Sequence, residues 1–167
     1  AYKALLEAIP FAELEKAVEI DPEMALGWSS LACAYSFSGD DARARAAHLK
    51  ASEFVDRLNG MEKRWLELNG LWVEGAGGDA FMAEMKRYIR DFPDDRDSYF
   101  YAGLAEEWLN RDYEAALVWY EKAYGMVPGY YPVTNARADC LMKLGRKDEA
   151  IRALTGFLAL ARAGEVP

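Results

Sequence analysis

The sequence predicts an all-α fold, an α-solenoid built from antiparallel helix pairs, on three observations. Apolar residues recur at intervals of three and four along nearly all of the 167 residues, which is the spacing of amphipathic helices. A helix–turn–helix unit returns at steps of 33 to 37 residues, a period typical of helical repeats. A proline follows the second helix of three of these units, where it cannot continue a helix.

The first helices of the units share one motif. Residues 28–35 read W-x-x-L-A-x-x-Y, and related motifs open at Trp65, Tyr101 and Thr134. Segment 38–41 follows the first motif with a glycine that can stop a helix and an aspartate that can cap the next one. Small residues are expected where the two helices of a pair approach closely, and they are Ala32, Ala44, Ala105, Ala116, Ala138 and Ala150.

The second helices align at their ends. An L-x-x-A pattern precedes Pro22, and equivalent pairs precede Pro93 and Pro128 at the same distance. We therefore predict a single repeat array over residues 1–167. Its parts are a partial unit, residues 1–22, and four units, residues 25–58, 62–95, 97–128 and 131–164.

Both motifs resemble the tetratricopeptide repeat (TPR) family, whose 34-residue unit follows the pattern W-x₂-L-G-x₂-Y…A-x₃-F…P. Segments 15–22, EKAVEIDP, and 112–116, DYEAA, are similar to that consensus. The resemblance implies a right-handed superhelix that binds other proteins. Residues 57–95 also resemble the TPR regions of bacterial multidomain signalling proteins. Since the chain starts at Ala1 inside a periodic apolar segment, we expect a piece of a longer protein or a mature form.

The composition is that of a globular protein, with 52% apolar and 29% charged residues. The formal net charge of −8 repels phosphate backbones, so we expect no nucleic-acid partner. No apolar run approaches the ~20 residues of a membrane span, so we expect no membrane partner. Two cysteines, Cys33 and Cys140, exclude a disulfide framework, and as reduced thiols they favour a cytoplasmic location.

No group of residues in the sequence predicts catalysis. The single histidine, His48, stands at the position of a large packed residue and has no Cys or His at ligand spacing, which favours a core position over a metal site. Glu106 and Glu107 are adjacent in a predicted helix and point about 100° apart, which argues against a converging acid/base pair. We expect a protein that is not an enzyme, with no metal and no cofactor.

The resemblance places the ligand groove on the first helix of each pair. Carried over position by position, the groove residues are Ser29, Cys33, Phe37, Leu66, Gly70, Val73, Glu74, Ala102, Glu106, Asn110, Asn135, Asp139 and Lys143. One end of this set is small and apolar, and the other end is acidic and carries amides. The groove is therefore expected to bind a peptide or protein segment with an apolar anchor and some positive charge.

The last predicted helix carries more apolar residues than its own partner can cover. Because terminal repeats normally need a polar cap, we expect either a further repeat or self-association into a homo-oligomer through Phe157 and Leu160. The favoured function is a scaffold that binds a protein segment in its concave groove. Two alternatives remain: a spacer module that stacks end to end, and a regulatory segment of a larger signalling protein.

Overall fold

The computed structural model describes residues 11–166, and in that range all regular secondary structure is helical. The predicted all-α fold is confirmed. The described α-helices are α1 (Phe11–Ile20), α2 (Ala25–Ser38), α3 (Asp41–Glu53), α4 (Gly60–Val73), α5 (Gly78–Asp91), α6 (Arg96–Ala105), α7 (Tyr113–Met126), α8 (Tyr131–Lys143) and α9 (Lys147–Ala163). The first ten residues of the predicted partial unit 1–22 lie outside the described range.

The described residues form two compact units that divide between Ala76 and Gly77. The first contains α1 to α4, and the second contains α5 to α9. The division falls in the turn of the predicted repeat 62–95, and the single array over residues 1–167 stays a prediction. No helix between residues 11 and 166 combines the length and the apolar character that a membrane crossing requires.

In the first unit α2 and α3 form a helical hairpin around small side chains. The turn predicted over residues 38–41 is confirmed. Gly39 ends α2 with a φ of 83°, a conformation that favours glycine, and the Asp40 carboxylate accepts a hydrogen bond from the Arg43 backbone N–H at the start of α3. The buried cluster of this unit consists of Val18, Leu31, Ala32, Tyr35, Ala44, Ala47 and Val73.

In the second unit α6 to α9 pack each against the next along the chain. Helix α6 approaches α7 closely at Gly103, which faces the ring of the fully buried Tyr120. The six alanines predicted at close helix contacts are almost inaccessible to solvent, which confirms their packing role. The main buried cluster of this unit consists of Leu104, Ala116, Leu117, Tyr120, Ala138, Cys140, Leu141 and Ala150.

The end of α6 departs from a regular helix. Glu106–Asn110 form a π-helical turn, and Arg111 then has a left-handed backbone with a φ of 56°. The Asp112 side chain starts α7 by accepting a hydrogen bond from the Ala115 backbone N–H. A π turn inserts an extra residue into a helix and is frequent at functional sites. Here it carries two adjacent buried carboxylates, those of Glu106 and Glu107.

Candidate functional site

The predicted groove residues differ widely in exposure. Six of them are buried, namely Ser29, Leu66, Gly70, Val73, Ala102 and Glu106. Three are half-buried, namely Cys33, Phe37 and Asp139, and four are exposed, namely Glu74, Asn110, Asn135 and Lys143. A partner can therefore reach the four exposed residues without rearrangement of the helices.

In the first unit the predicted groove positions mostly hold α2 against α4. The Asn69 Nδ2 amide donates a buried hydrogen bond of 2.7 Å to the Ser29 hydroxyl, which joins the two helices. The Phe37 ring meets Trp72 edge-on, with 5.4 Å between ring centroids. Burial raises the pKa of the Cys33 thiol to about 12, so it stays protonated and poorly nucleophilic at neutral pH.

The single histidine packs against another predicted groove position. His48 on α3 lies over Gly70 on α4, where an added Cβ would come within 2.7 Å of the imidazole Nε2. Its Nδ1 atom is buried and has no hydrogen-bond partner among residues 11–166. The predicted packing role of His48 is confirmed, and the close approach requires glycine at position 70. Burial lowers the pKa of His48, and the Glu74 carboxylate only partly offsets this effect.

We expect His48 to make the protein less stable in mild acid. Since its pKa is lower in the folded state, the unfolded chain binds the proton first as the pH falls below about 6.5. The free energy of unfolding should therefore fall between pH 7.5 and pH 5.5, until the folded imidazole is protonated as well. Urea unfolding at several pH values measures this, and His48→Leu should flatten the curve because the chain has no second histidine. A wild-type curve parallel to that of His48→Leu would contradict the prediction.

In the second unit a polar network joins the π turn to α7 and α8. The buried Glu107 carboxylate accepts hydrogen bonds from the Tyr120 hydroxyl, at 2.7 Å, and from the Lys143 ammonium. Lys143 also pairs with Asp139, one helical turn before it, at 2.8 Å. Two of the predicted groove residues, Asp139 and Lys143, thus pair directly, and Lys143 also binds Glu107, a residue that was not predicted in the groove.

The network holds the Tyr120 hydroxyl and the Lys143 ammonium in their protonated forms. Burial and the Glu107 carboxylate raise the pKa of the Tyr120 hydroxyl far above its ordinary value, so it remains a donor. Partial burial alone would lower the pKa of Lys143, but hydrogen bonds to Asp139 and Glu107 raise it overall, so the ammonium stays charged. Burial, followed by Glu107, raises the pKa of the nearby Cys140 thiol to about 11. The arrangement resembles a structural support more than a proton-transfer site.

Beside this network the π turn and α5 enclose an open cleft of about 710 Å³. The residues that define its chemistry are Asp79, Met82 and Lys86 from α5, and Glu106, Leu109 and Asn110 from the π turn. The Asn110 Nδ2 amide donates a hydrogen bond of 2.7 Å to Glu106 Oε2, which orients the buried carboxylate. Of the predicted groove residues, Glu106 and Asn110 line this cleft.

No three His, Cys, Asp or Glu side chains converge as metal ligands in the described part of the chain. Glu106 and Glu107 have different hydrogen-bond partners, as expected for neighbours that point apart in a helix. The groups that line the cleft are carboxylates, an amide, an ammonium and apolar side chains.

The second unit also contains a segment that matches a known family model. Residues 107–163, from the π turn to the end of α9, match the family model of the tetratricopeptide repeat. This segment of the chain matches the tetratricopeptide repeat. The resemblance noted from the motifs is therefore confirmed. No curated protein matches the sequence.

Solved TPR structures share this fold at low sequence identity. MamA from Desulfovibrio magneticus RS-1 is 15% identical with a TM-score of 0.58, over 97% of this chain and 94% of that one. Human IFIT1, solved as a dimer with m7Gppp-AAAA, is 15% identical with a TM-score of 0.61, but this chain spans only 35% of its length. YrrB, described as a TPR protein with an unusual peptide-binding site, is 15% identical with a TM-score of 0.52, over 90% and 75% of the two chains.

These likenesses show the fold alone, an all-α solenoid of the TPR type. TPR folds are in general scaffolds for protein–protein interaction and are typically non-catalytic. Four charged residues of the cleft and the network were missing from the predicted groove: Asp79, Lys86, Glu107 and Asp112. Only Glu107 had a signal in the sequence, because a second carboxylate follows Glu106 in a helix that otherwise faces a core.

Proposed function

We propose that this TPR chain is a non-catalytic scaffold that binds a peptide or protein segment on the face formed by the π turn and α8. The observation that carries the proposal is a strip of accessible polar side chains on α8. Asn135 is exposed and has no side-chain hydrogen bond within residues 11–166, and one turn later Asp139 pairs only with Lys143. Exposed amide and carboxylate groups on a rigid helix can pair with the backbone and the cations of an extended segment.

The chemistry of the candidate nucleophiles supports a non-catalytic role. The pKa values of both thiols are raised by burial, that of Cys33 to about 12 and that of Cys140 to about 11, so neither is a thiolate at neutral pH. His48 belongs to the first unit, where it packs on Gly70 and burial lowers its pKa. The Lys143 ammonium is held by two carboxylates.

A peptide selection tests the proposal. Random-peptide phage are selected on the wild-type protein and counter-selected on the Asn135→Ala/Asp139→Ala double variant. We expect enriched peptides with basic residues that bind the wild type at least about tenfold more tightly than the double variant, the effect of one lost charge-assisted hydrogen bond. The matched control is Asp148→Ala/Thr155→Ala on α9, which also removes one carboxylate and one neutral polar group. Peptides that bind all three proteins equally, or no enrichment at all, would overturn the proposal.

Self-association is a second candidate because α9 exposes apolar side chains. Ile151, Leu154 and Leu158 are 61%, 39% and 51% exposed. The predicted edge residues Phe157 and Leu160 are half-buried, and Phe157 packs on Tyr131 with 5.5 Å between ring centroids. If this candidate holds, light scattering should show that the wild-type protein forms an oligomer. The Leu154→Glu/Leu158→Glu variant should be a monomer. A wild-type monomer at high concentration would contradict it.

A regulatory role in a larger bacterial signalling protein and a cytoplasmic location stay predictions.

A further inference from the structure

The cleft of the second unit contains a buried carboxylate without a cationic partner. Glu106 is only 9% exposed and lines the cleft. Its Oε2 atom accepts one hydrogen bond, from the neutral Asn110 amide, and no Lys, Arg or His of residues 11–166 lies within salt-bridge distance. The neighbouring ammonium, Lys143, is already held by Glu107 and Asp139. The carboxylate is open to the cleft on one side and has no countercharge from the described chain, so it can pair with a cation from outside.

The orientation of this carboxylate is built into the backbone. Gly78, the first residue of α5, allows the Asn110 side chain to lie against it, since an added Cβ there would come within 1.7 Å of Asn110 Oδ1. With Oδ1 seated on Gly78, the Nδ2 amide donates to Glu106 Oε2. The other carboxylate oxygen, Oε1, has no hydrogen bond to residues 11–166 and is left for a ligand donor.

The cleft combines negative charge with apolar surface. Asp79 and Asp112 also line it, so three carboxylates face a single cation, Lys86. Met82 and Leu109 add apolar side chains. These carboxylates do not gather into a metal site within the described residues. A mostly polar cleft that offers a carboxylate and two apolar side chains suits the charged head and the aliphatic stem of a lysine or arginine side chain.

We propose that this cleft is a specificity pocket for a basic side chain, lysine or arginine, of the bound segment. The inference rests on the proposed function, because it names the chemistry that the peptide face selects. In it, Glu106 Oε1 accepts from the ligand's ammonium or guanidinium group, Asn110 positions the carboxylate, and Met82 and Leu109 pack on the stem.

The test uses small probes rather than an unidentified partner. Nα-acetyl-arginine amide and Nα-acetyl-lysine amide are titrated into the ¹⁵N-labelled wild-type chain, with the neutral isostere Nα-acetyl-citrulline amide as reference. We expect saturable shifts of the Asn110 side-chain amide with the two cationic probes and binding at least about tenfold weaker with citrulline, which lacks the charge. Equal binding of the citrulline probe, or no saturable shift with either cation, would overturn the proposal.

Three variants locate the binding. Glu106→Gln keeps the shape of the side chain but removes its charge, and it should weaken the binding of both cationic probes about tenfold. Lys86→Met removes the exposed ammonium that competes with the probes for the carboxylates of the cleft. It should therefore increase the affinity for both cationic probes about twofold to threefold. Asp148→Asn on α9, the control, should leave the affinity for both cationic probes unchanged. Even if Glu106→Gln fails to fold, unchanged or weaker binding in Lys86→Met contradicts the pocket.

The outcome also separates this inference from the proposed function. Peptides that depend on Asn135 and Asp139, together with no probe binding at Asn110, would leave the scaffold intact and overturn the pocket alone. Probe binding that Glu106→Gln abolishes, without any selected peptide, would support a cation pocket and overturn the peptide face.

Discussion

Gly103→Ala should destabilise the protein by about 3 kcal/mol, at the upper end of overpacking effects. The added Cβ would lie 2.3 Å from Cε1 of the Tyr120 ring, far inside van der Waals contact. Tyr120 has no solvent exposure, and its hydroxyl is held by Glu107, so the ring cannot move aside without breaking that hydrogen bond. The helices α6 and α7 would have to separate instead, which would open the main buried cluster of the second unit.

Urea unfolding followed by far-ultraviolet dichroism measures this loss. The matched control is Gly156→Ala in α9, where an added Cβ meets nothing within 4 Å. There the better helix propensity of alanine should stabilise the protein by up to about 1 kcal/mol. The same substitution thus has opposite signs at two helical glycines. A stability of Gly103→Ala equal to that of the wild type would show that α6 and α7 do not approach as described.

Lys143→Met should destabilise the protein by about 2 kcal/mol, although lysine is usually a surface residue. The ammonium compensates the Glu107 carboxylate, whose side chain is only 4% exposed. Removing it leaves Glu107 buried with the Tyr120 hydroxyl as its remaining donor. Breaking a buried ion pair at one end typically costs 3–5 kcal/mol, and the partial exposure of Lys143 reduces this figure.

Two comparisons make the Lys143 prediction specific. Lys147→Met, at an exposed position at the start of α9, should change the stability by less than about 0.5 kcal/mol. The double variant Glu107→Gln/Lys143→Met should regain most of the loss, because no uncompensated charge is then buried. If the effects of Glu107→Gln and Lys143→Met simply add, the two side chains are not coupled and the network has no role in stability.

Much of the fold could be predicted from local pattern. The spacing of apolar residues indicated helices, and helices are observed. Gly39 indicated the end of one helix and Asp40 the cap of the next, and both are observed. The alanines were predicted at close contacts because no larger side chain fits between packed helices, and Ala32 and Ala44 are indeed inaccessible. These features depend on neighbours in sequence or on residue size alone.

The candidate site could be predicted only in part. Position within a repeat identified Asn110 and Asn135 as accessible polar residues, and both are exposed. The same reasoning named Ser29 and Gly70, which are buried by Asn69 and by His48. Repeat position indicates the face of a helix, but the size of a neighbouring side chain decides whether that face stays open.

The sequence by itself determined the helices, their caps and the small residues at their contacts, since these features act over a few positions. Only the tertiary structure decided the states of two adjacent carboxylates: Glu107 is paired with Lys143, 36 residues away, whereas Glu106 has only the Asn110 amide and faces the cleft. The physical reason is that a countercharge from a distant helix leaves no local pattern, although it governs whether a buried carboxylate supports the fold or remains open to a ligand.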